Sequence, residues 1–335
     1  MGGFLTILVT GGAGYIGSHM VHHLLESGED VVVLDNLSTG VKENLPTGSE
    51  LIEGDAGDDA LVSRLFQSRS FDSVIHFAGS VVVPESVAHP LDYYRNNTVA
   101  SRSLIAACVR HAVPNFLFSS TAAVYGSPPV MPVSEGTQTD PVSPYGRSKL
   151  MTEWMLQDAA KAHGLRYGIL RYFNVAGADP KGRTGQSTPR ATHLIKRACE
   201  VATGHPGKLT IFGTDYPTPD GTGVRDYIHV SDLVDIHEKV LRKLRKDGAS
   251  LLLNCGYGHG YSVREVVSAV ERATGNLLAV ETADRRPGDL AIVVAETGKL
   301  ATLLSWKPQY ADLNVIVRTA LDWEKRIERA RDFPS

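Results

Sequence analysis

The sequence predicts an α/β protein, with a doubly wound parallel sheet followed by a smaller α/β domain in the C-terminal half. Three observations predict this fold. Apolar, strand-like runs alternate with helical stretches, a glycine triplet follows the first strand, and polar or small residues follow the ends of several strands. Strands that alternate with helices form parallel sheets covered on both faces. Ligands bind such sheets at the carboxyl ends of the strands.

The first predicted element is a buried parallel strand, Phe4 to Thr10, which is almost continuously apolar or β-branched. Gly11, Gly14 and Gly17 follow it and open a helix, and the second strand ends in Asp35. Such glycines let the backbone approach a pyrophosphate at the helix N-terminus, and the acid bonds the adenosine ribose. The pattern is typical of a Rossmann-type unit. It favours NAD over NADP, because a carboxylate repels a 2′-phosphate.

The alternation continues through the first half. Strands are predicted before Asp55 and at 73–79, 115–126 and 165–177, and helices at 58–68 and 92–112. A further helix begins near Tyr145, because Ser143 is a suitable N-cap and Pro144 suits the first helical position.

The composition changes after Asn174. The stretch 174–190 is rich in Gly, Pro and polar residues, which fits either a binding loop or a disordered connector. Helices and strands resume from about residue 193. We predict one domain at 1–175, to which the chain returns at about 226–257, and a second domain at 176–225 and 258–335.

Composition and charge exclude several classes of protein. The 335 residues carry a net charge of −3, which argues against a broad nucleic-acid surface. No apolar run is long enough to span a membrane and no signal segment precedes the first strand, so a cytoplasmic protein is expected. The three cysteines are widely spaced and predict neither disulfides nor a metal site. The histidines, including His76 and His229, lack metal-binding spacings, so no metal is expected.

Tyr145 and Lys149 lie one helical turn apart, so their side chains share one face of the predicted helix. Such pairs are also common on exposed helices without any function. The chemical interpretation is that Lys149 and a second positive charge lower the phenol pKa from its usual value of about 10. The phenolate could then act as a base near neutral pH. This interpretation requires a cationic cofactor nearby.

Several motifs together resemble the extended short-chain dehydrogenase/reductase family. They are TGGAGYIG, DN at 35–36, HFAG, SSTAAVYG, YGRSK, RYFN and GTGVRDYIHVSD. The resemblance covers about residue 4 to at least residue 290 and is closest to the UDP-hexose 4-epimerases of that family. The glycine triplet and YxxxK mark only the superfamily, whereas RYFN with GTGVRDYIHV and RRPGD is more specific.

The resemblance implies an NAD-dependent, reversible epimerisation of UDP-glucose and UDP-galactose at sugar carbon 4 through a 4-keto intermediate. Tyr145 would take the proton of the 4-hydroxyl while hydride passes to the nicotinamide ring, which supplies the missing positive charge. Lys149 would hold the nicotinamide ribose, and the Thr121 hydroxyl would bridge the 4-oxygen and Tyr145. Family members also form homodimers through a helical bundle, so the resemblance implies that helices 92–112 and 148–163 would pair with a second copy.

The resemblance also implies two sets of binding residues. The cofactor set is Gly11, Gly14, Tyr15, Ile16, Gly17, Asp35, Asn36, Asp55, Ala56, Phe77, Ala78, Gly79, Asn97, Tyr145, Lys149 and Phe173. The substrate set is Thr121, Tyr145, Asn174, His193, Leu194, Thr210, Ile211, Phe212, Arg225, Arg286, Asp289 and Val293. Arg225 and Arg286 would bind the phosphates, although each could instead form a solvated salt bridge, and Asp289 would bind the uridine ribose.

The sequence departs from the family pattern at a few places. Many members have a lysine near the pyrophosphate where this chain has Val81, so NAD is expected to be held less tightly or by another group. His193 stands where some relatives have Asn. Val293 is intermediate in size at the position that limits room for an N-acetyl group. A 4-epimerase of UDP-N-acetylhexosamine or of a UDP-pentose is therefore the alternative.

Other functions on the same fold fit less well. Sugar-nucleotide dehydratases need an acid and a base directly after the threonine, and decarboxylating relatives need a glutamate there. This chain has Ala122 and Ala123, which transfer no protons. A simple dehydrogenase would release NADH, whereas retention is expected here. A non-catalytic NAD sensor would not need Tyr145, Lys149 and Thr121 together.

Overall fold

The structure is a computed structural model, which describes residues 6–188, 191–286 and 288–332. Phe4 and Leu5 of the first predicted strand lie outside the described residues. The chain divides into two compact units. The first contains residues up to Pro128, Glu135–Tyr172 and Val234–Asn254, and the second contains Pro129–Ser134, Phe173–Leu233 and residues from Cys255 onward.

Helices and strands alternate along the chain. Up to Tyr172 they are β1 (Thr6–Thr10), α1 (Tyr15–Glu26), β2 (Asp30–Asp35), β3 (Glu50–Glu53), α2 (Asp59–Ser68), β4 (Phe71–His76), α3 (Val83–Ala88), α4 (Pro90–Tyr93), α5 (Ala100–Arg110), β5 (Asn115–Thr121), α6 (Pro144–His163) and β6 (Arg166–Tyr172). The rest are β7 (Asn174–Ala176), α7 (Leu194–Ala202), β8 (Leu209–Phe212), β9 (Val224–Arg225), β10 (Tyr227–His229), α8 (Val230–Asp247), β11 (Leu251–Cys255), β12 (Tyr261–Ser262), α9 (Val263–Thr274), β13 (Val280–Ala283), β14 (Ile292–Val293), α10 (Gly298–Leu304) and α11 (Leu313–Asp332).

The first unit is built around a seven-stranded sheet with the order β11-β6-β5-β4-β1-β2-β3. The pairs from β6 to β3 are parallel. Strands β1, β4 and β5 are buried along their whole length, and each has an apolar run in its middle. The strand order reverses between β1 and β4, and ligands bind doubly wound sheets in the crevice at that point. The predicted fold class is confirmed.

The second unit packs helices around short strands. Its small sheets are β10-β7, β12-β9-β14 and β13-β8. Helices α7, α9 and α11 share an apolar core that includes Ala198, Val266 and Ile316. A capping box begins α9, because Ser262 Oγ accepts from Glu265 N at 3.1 Å while Ser262 N donates to Glu265 Oε2 at 2.7 Å.

Three strands end earlier than the sequence predicts, and the one predicted at 73–79 stops at His76. At 115–126 the strand stops at Thr121, whose hydroxyl accepts from Ala123 N at 3.1 Å and caps a short 3₁₀ turn, Ala122–Tyr125. At 165–177 the strand breaks at Phe173, because Asn174–Ala176 pairs with β10 instead of with β5. Apolar residues resume after both breaks, at Ala122–Tyr125 and at Val175–Ala176, so the local pattern does not reveal them.

Candidate active site

The loop between β1 and α1 brings the backbone of the glycine triplet into close contact with other backbone. A Cβ on Gly17 would lie 2.1 Å from Gly11 O, and a Cβ on Gly11, whose φ is 67°, would lie 2.6 Å from Ala78 N. A side chain on Gly17 would push α1 away from the end of β1, and one on Gly11 would displace the backbone that follows β4. The N-cap of α1 is Gly14, and no side chain within the described ranges caps this helix end. The loop therefore forms a narrow cradle that suits an anion.

Asp35 ends β2 as a buried carboxylate turned toward the same loop. Its Oδ2 accepts from Ala13 N at 2.9 Å and its Oδ1 accepts from Leu37 N at 2.8 Å. Because an ionised carboxylate has about four acceptor sites, Asp35 can also accept from ribose hydroxyls. Asn36 Nδ2 lies 3.5 Å from Asp55 Oδ2, at the ends of the adjacent strands β2 and β3. The three predicted residues thus lie at one edge of the sheet.

The other predicted cofactor residues of the first unit follow strand ends or begin a helix. Tyr15 and Ile16 are the first residues of α1, Ala56 follows β3, and Phe77, Ala78 and Gly79 follow β4. Phe173 belongs to the second unit, where it is buried between β6 and β7.

Asn97 is buried, and its side-chain amide forms hydrogen bonds with other residues of the protein. Its Oδ1 accepts from Ser80 N at 2.8 Å, while its Nδ2 donates to Ser80 O at 2.9 Å and to Ser148 Oγ at 3.0 Å. The residue lies in a π-helical segment, Tyr94–Val99, between α4 and α5. Asn97 therefore holds the loop that contains Gly79 against α6, a role that the sequence did not predict.

Helix α6 starts as the sequence predicts. Ser143 is the N-cap, and its Oγ accepts from Gly146 N at 3.1 Å. Pro144 occupies the first helical position. This start places Tyr145 in the first turn and Lys149 one turn later.

The predicted catalytic residues lie together at the carboxyl end of β5. The Tyr145 phenol and the Thr121 hydroxyl are hydrogen-bonded to each other. Lys149 Nζ donates to Ser119 O at 2.9 Å and lies 4.9 Å from the centroid of the Phe118 ring. Lys149 is 3% exposed, so its ammonium is almost completely shielded from water.

Burial controls the ionisation of the tyrosine–lysine pair. It raises the pKa of Tyr145, and the hydrogen bond from Thr121 opposes this shift without reversing it. It lowers the pKa of Lys149 to about 8. The lowering of the phenol pKa that the sequence predicts requires a second positive charge besides Lys149, and it stays a prediction. An additional positive charge at the site is needed for Tyr145 to ionise near neutral pH.

His76 and His229 are structural histidines. His76 Nδ1 lies 2.6 Å from Thr10 Oγ1 and its Nε2 lies 2.9 Å from Ser101 Oγ. Burial, followed by the charge of Lys149, lowers the His76 pKa to about 3, so the ring is neutral. His229 Nε2 lies 3.0 Å from Thr319 Oγ1. Hydrogen bonding explains both rings.

Two groups of side chains in the described ranges have the proximity that a metal ion would need, and neither includes a predicted site residue. They are His23 with Asp235 and Glu238, and His205 with Glu324 and Glu328. In each group the imidazole already pairs with a carboxylate, at 2.8 Å in the first and 2.6 Å in the second. Hydrogen bonding between the imidazole and a carboxylate accounts for both groups.

In the second unit, parallel pairing of β9 with β14 brings several predicted substrate residues together. Arg225 stands opposite Val293 in this pairing. Arg225 Nη1 donates to Val224 O at 2.9 Å, and its Nη2 lies 3.9 Å from Asp289 Oδ1. The separation from Asp289 exceeds a hydrogen bond, so Arg225 retains donors for an anionic ligand.

Strand β8 presents alternate residues to opposite sides. Ile211 is buried, so only its backbone is available to a ligand, whereas Thr210 and Phe212 are partly exposed. The Arg286 guanidinium lies 3.8 Å from the centroid of the Phe212 ring. This cation–π contact holds the loop after β13 beside β8.

Tyr216 is a candidate binding residue that sequence reasoning missed. Its hydroxyl is buried and has no hydrogen-bond partner within the described part of the chain. Burial raises its pKa, as does the negative charge of Asp289, whereas Arg225 opposes the shift. Arg285 lies 4.2 Å from the ring centroid and holds the ring in place. A buried hydroxyl without a partner is costly, so Tyr216 has the property expected of a ligand contact.

The remaining substrate residues lie near the ends of elements. Asn174 begins β7, and its N donates to Asp226 O at 2.9 Å. His193 is the exposed N-cap of α7, and Leu194 is the first residue of that helix. Gln186 Nε2 lies 3.4 Å from His193 Nδ1. None of these contacts could be inferred from the sequence.

The fold and this site together define a class, namely α/β proteins with a Rossmann-type sheet and a Tyr-Lys pair at the carboxyl end of a central strand. A family model described as the NAD dependent epimerase/dehydratase family matches residues 7–256. The chain belongs to this family.

Similar proteins of known name agree with that placement. A UDP-glucose 4-epimerase of Azospirillum brasilense is 56% identical over 97% of this chain and 93% of its own length. The structure of UDP-glucose 4-epimerase from Brucella ovis in complex with NAD has a TM-score of 0.93 and 43% identity, covering 96% of this chain and 98% of that one. The Bifidobacterium longum enzyme in complex with NAD⁺ and UDP has a TM-score of 0.90 and 39% identity, with the same coverage of 96% and 98%.

None of the helices in the described ranges combines the length and the apolar character required to cross a membrane.

Proposed function

We propose that this chain catalyses the NAD-dependent, reversible epimerisation of UDP-glucose and UDP-galactose at sugar carbon 4. The observation that carries the proposal is the meeting of Tyr145, Lys149 and Thr121 in the unit that contains the glycine cradle. Relatives named UDP-glucose 4-epimerase are 42–56% identical to the chain. The relative at 56% identity is named UDP-glucose 4-epimerase, whereas one named probable UDP-arabinose 4-epimerase 1 is 43% identical, which favours a hexose over a pentose substrate.

The first unit fits NAD. The cradle at Gly11 and Gly17 has no room for side chains and suits a pyrophosphate, and Asp35 has acceptor capacity for ribose hydroxyls. Lys149 would hold the nicotinamide ribose. When bound, NAD supplies a hydride acceptor and a positive charge at the ring.

The chain's own residues handle the proton. Tyr145 accepts the proton of the sugar hydroxyl and returns it, and Thr121 orients the phenol through their hydrogen bond. Lys149, held by Ser119 O, places a positive charge beside the phenolate as it forms. Reversibility follows because the same phenol acts as base and then as acid.

The second unit would bind the UDP group. Arg225 and Arg286 offer guanidinium donors to the two phosphates, and Asp289 lies beside Arg225 as an acceptor for the ribose. Thr210, Ile211 and Phe212 would flank the uracil along β8, and Asn174, His193, Leu194 and Val293 would complete the site.

The direct test is turnover without added cofactor. Purified chain is mixed with UDP-galactose, and UDP-glucose is followed by NMR. We expect an equilibrium mixture of the two sugars. Because an exposed valine, Val81, replaces the lysine of many relatives, added NAD is expected to increase the rate. A chain that leaves UDP-galactose unchanged even with NAD present would contradict the proposed function.

We also propose that two copies of the chain form a homodimer through the helices at 92–112 and α6. Large apolar side chains are exposed on these helices or just before them, at Leu91 (80%), Val99 (56%) and Trp154 (52%). Apolar residues exposed in this way favour burial against a second copy. The cytoplasmic location expected from the sequence stays a prediction.

The dimer predicts a specific sedimentation result. The wild-type chain is expected to sediment as two chains, and Trp154→Glu is expected to shift it toward one chain, because the carboxylate cannot be buried without a partner. The matched control is Leu277→Glu, which alters an exposed leucine of the second unit. A wild-type mass of one chain would contradict this interface.

A further inference from the structure

The face of α6 that carries Tyr145 and Lys149 continues to a third polar residue, Glu153. The three residues follow one another at four-residue spacing, so their side chains lie on one face. Glu153 Oε1 accepts from Ser120 Oγ at 2.5 Å. Lys149 and Tyr145 contact the two residues on either side of Ser120 in β5. Three consecutive residues at the end of β5, Ser119 to Thr121, therefore each form a hydrogen bond with α6.

Glu153 is completely buried and its charge is matched by Arg171 of β6. Arg171 Nε donates to Glu153 Oε1 at 2.9 Å, and its Nη2 donates to Oε2 at 2.5 Å. Arg171 also lies 4.8 Å from the ring centroid of Tyr125, whose hydroxyl donates to Asn254 Oδ1 at 2.7 Å. The bidentate contact leaves the carboxylate a single orientation, in which Oε1 faces Ser120.

Stability alone does not explain this ion pair. Desolvating two charges costs about as much as their attraction returns, and a well-packed apolar pair is often as stable or more so. The pair instead supplies a directional contact that apolar side chains cannot make. That contact ends on Ser120, next to Thr121, which is the hydrogen-bond partner of Tyr145.

We propose that Glu153, oriented by Arg171, is a positioning residue that sets the register of α6 against β5 and so aligns Tyr145 with Thr121. The inference rests on the proposed function, because the alignment matters for proton transfer to and from the sugar. A displacement of about 1 Å at reacting groups can lower a rate by about 10²-fold. Loss of the contact is therefore expected to affect kcat much more than KM.

The simplest test removes only the contact with the strand. Ser120→Ala keeps the ion pair between Glu153 and Arg171 intact, so the thermal midpoint should stay close to that of the wild type. We expect kcat with UDP-galactose to fall about 10-fold while KM changes less than about 2-fold. A wild-type kcat in Ser120→Ala would overturn the proposal.

The second test separates positioning from stability. Glu153→Gln alone would leave Arg171 as an uncompensated buried charge and would destabilise the fold. The double variant Glu153→Met/Arg171→Met removes both charges, so its thermal midpoint should recover relative to Glu153→Gln. Its kcat should stay about 10-fold below wild type. Recovery of kcat along with stability would overturn the proposal. If the double variant does not fold, the kcat of Ser120→Ala alone tests the proposal.

A matched control uses another ion pair of the same unit. Arg245 contacts Asp72 through two hydrogen bonds, at 2.7 and 3.0 Å, and Asp72 has no place in the proposed site. Asp72→Asn should lower the thermal midpoint and leave kcat unchanged at a temperature well below it. A kcat loss in Asp72→Asn equal to that in Ser120→Ala would overturn a specific role for Glu153.

The failure of the proposed function can be told apart from the failure of this inference. If the wild-type chain turns over no UDP-galactose, the proposed function fails, and amide hydrogen exchange at 121–123 then tests the inference. Faster exchange in Ser120→Ala than in wild type supports the positioning contact. Unchanged exchange overturns it.

Discussion

Replacing Tyr145 by Phe is expected to lower kcat by about 10²- to 10⁴-fold, the range that general acid–base catalysis contributes. The change removes the only atom of the side chain that can carry the proton and leaves the ring in place. Binding of NAD and UDP should be nearly unchanged, because the cradle at Gly11 and Gly17 and the arginines of the second unit are untouched. Turnover by NMR and UDP affinity by calorimetry measure the two effects separately.

The matched control is Tyr167→Phe, the same chemical change in the same unit. Tyr167 pairs with Phe116 in β5, five residues before Thr121, and is therefore far from the phenol of Tyr145. At about 3.3 Å per residue, the separation along the strand is about 16 Å. Tyr167→Phe should keep wild-type turnover. If Tyr145→Phe did so as well, the assignment of Tyr145 as the base would be wrong.

Replacing Lys149 by Met is the second large change, with an expected loss in kcat on the order of 10²-fold. The methionine keeps the packing volume and removes the charge beside the phenol, so ionisation of Tyr145 becomes harder. The variant should also hold less NAD, because Lys149 is the proposed partner of the nicotinamide ribose. Cofactor content of the purified chain and turnover test the two parts. Lys161→Met, a highly exposed position on the same helix, is the control.

Lys149 also predicts how stability depends on pH. Its pKa in the folded chain is about 8, below its ordinary value of 10.5, because burial disfavours the ammonium. Between pH 8 and pH 10.5, Lys149 is therefore protonated to a larger extent in the unfolded chain than in the folded chain. The contribution of Lys149 to the free energy of unfolding should rise as the pH increases from about 8 to 10.5. The free energy of unfolding, measured by denaturant at several pH values, should rise more steeply with pH for the wild type than for Lys149→Met within that window. Equal slopes would show that Lys149 is not desolvated.

The sequence by itself determined the fold class and the outline of the cofactor half. Features that depend on neighbouring residues could be predicted, namely the glycine triplet, the acid that ends β2 and the start of α6 at Ser143 and Pro144. A turn, a cap or an i, i+4 pair depends on residues close together in the chain. The Tyr145–Lys149 pair could be proposed for the same reason. The spacing that reaches Glu153 was also present in the sequence, but nothing local indicated a partner for a buried carboxylate.

Only the tertiary structure decided the long-range contacts. The side chain of Asn97 is hydrogen-bonded to Ser80 and Ser148. Glu153 is hydrogen-bonded to Ser120 and Arg171. The strand that follows Tyr172 pairs with β10 and not with the large sheet. It also showed that burial raises the Tyr145 pKa, an effect that a positive charge at the site has to overcome. Each outcome depends on which groups from distant parts of the chain exclude water from one another. Periodicity describes one element at a time and carries no information about that exclusion.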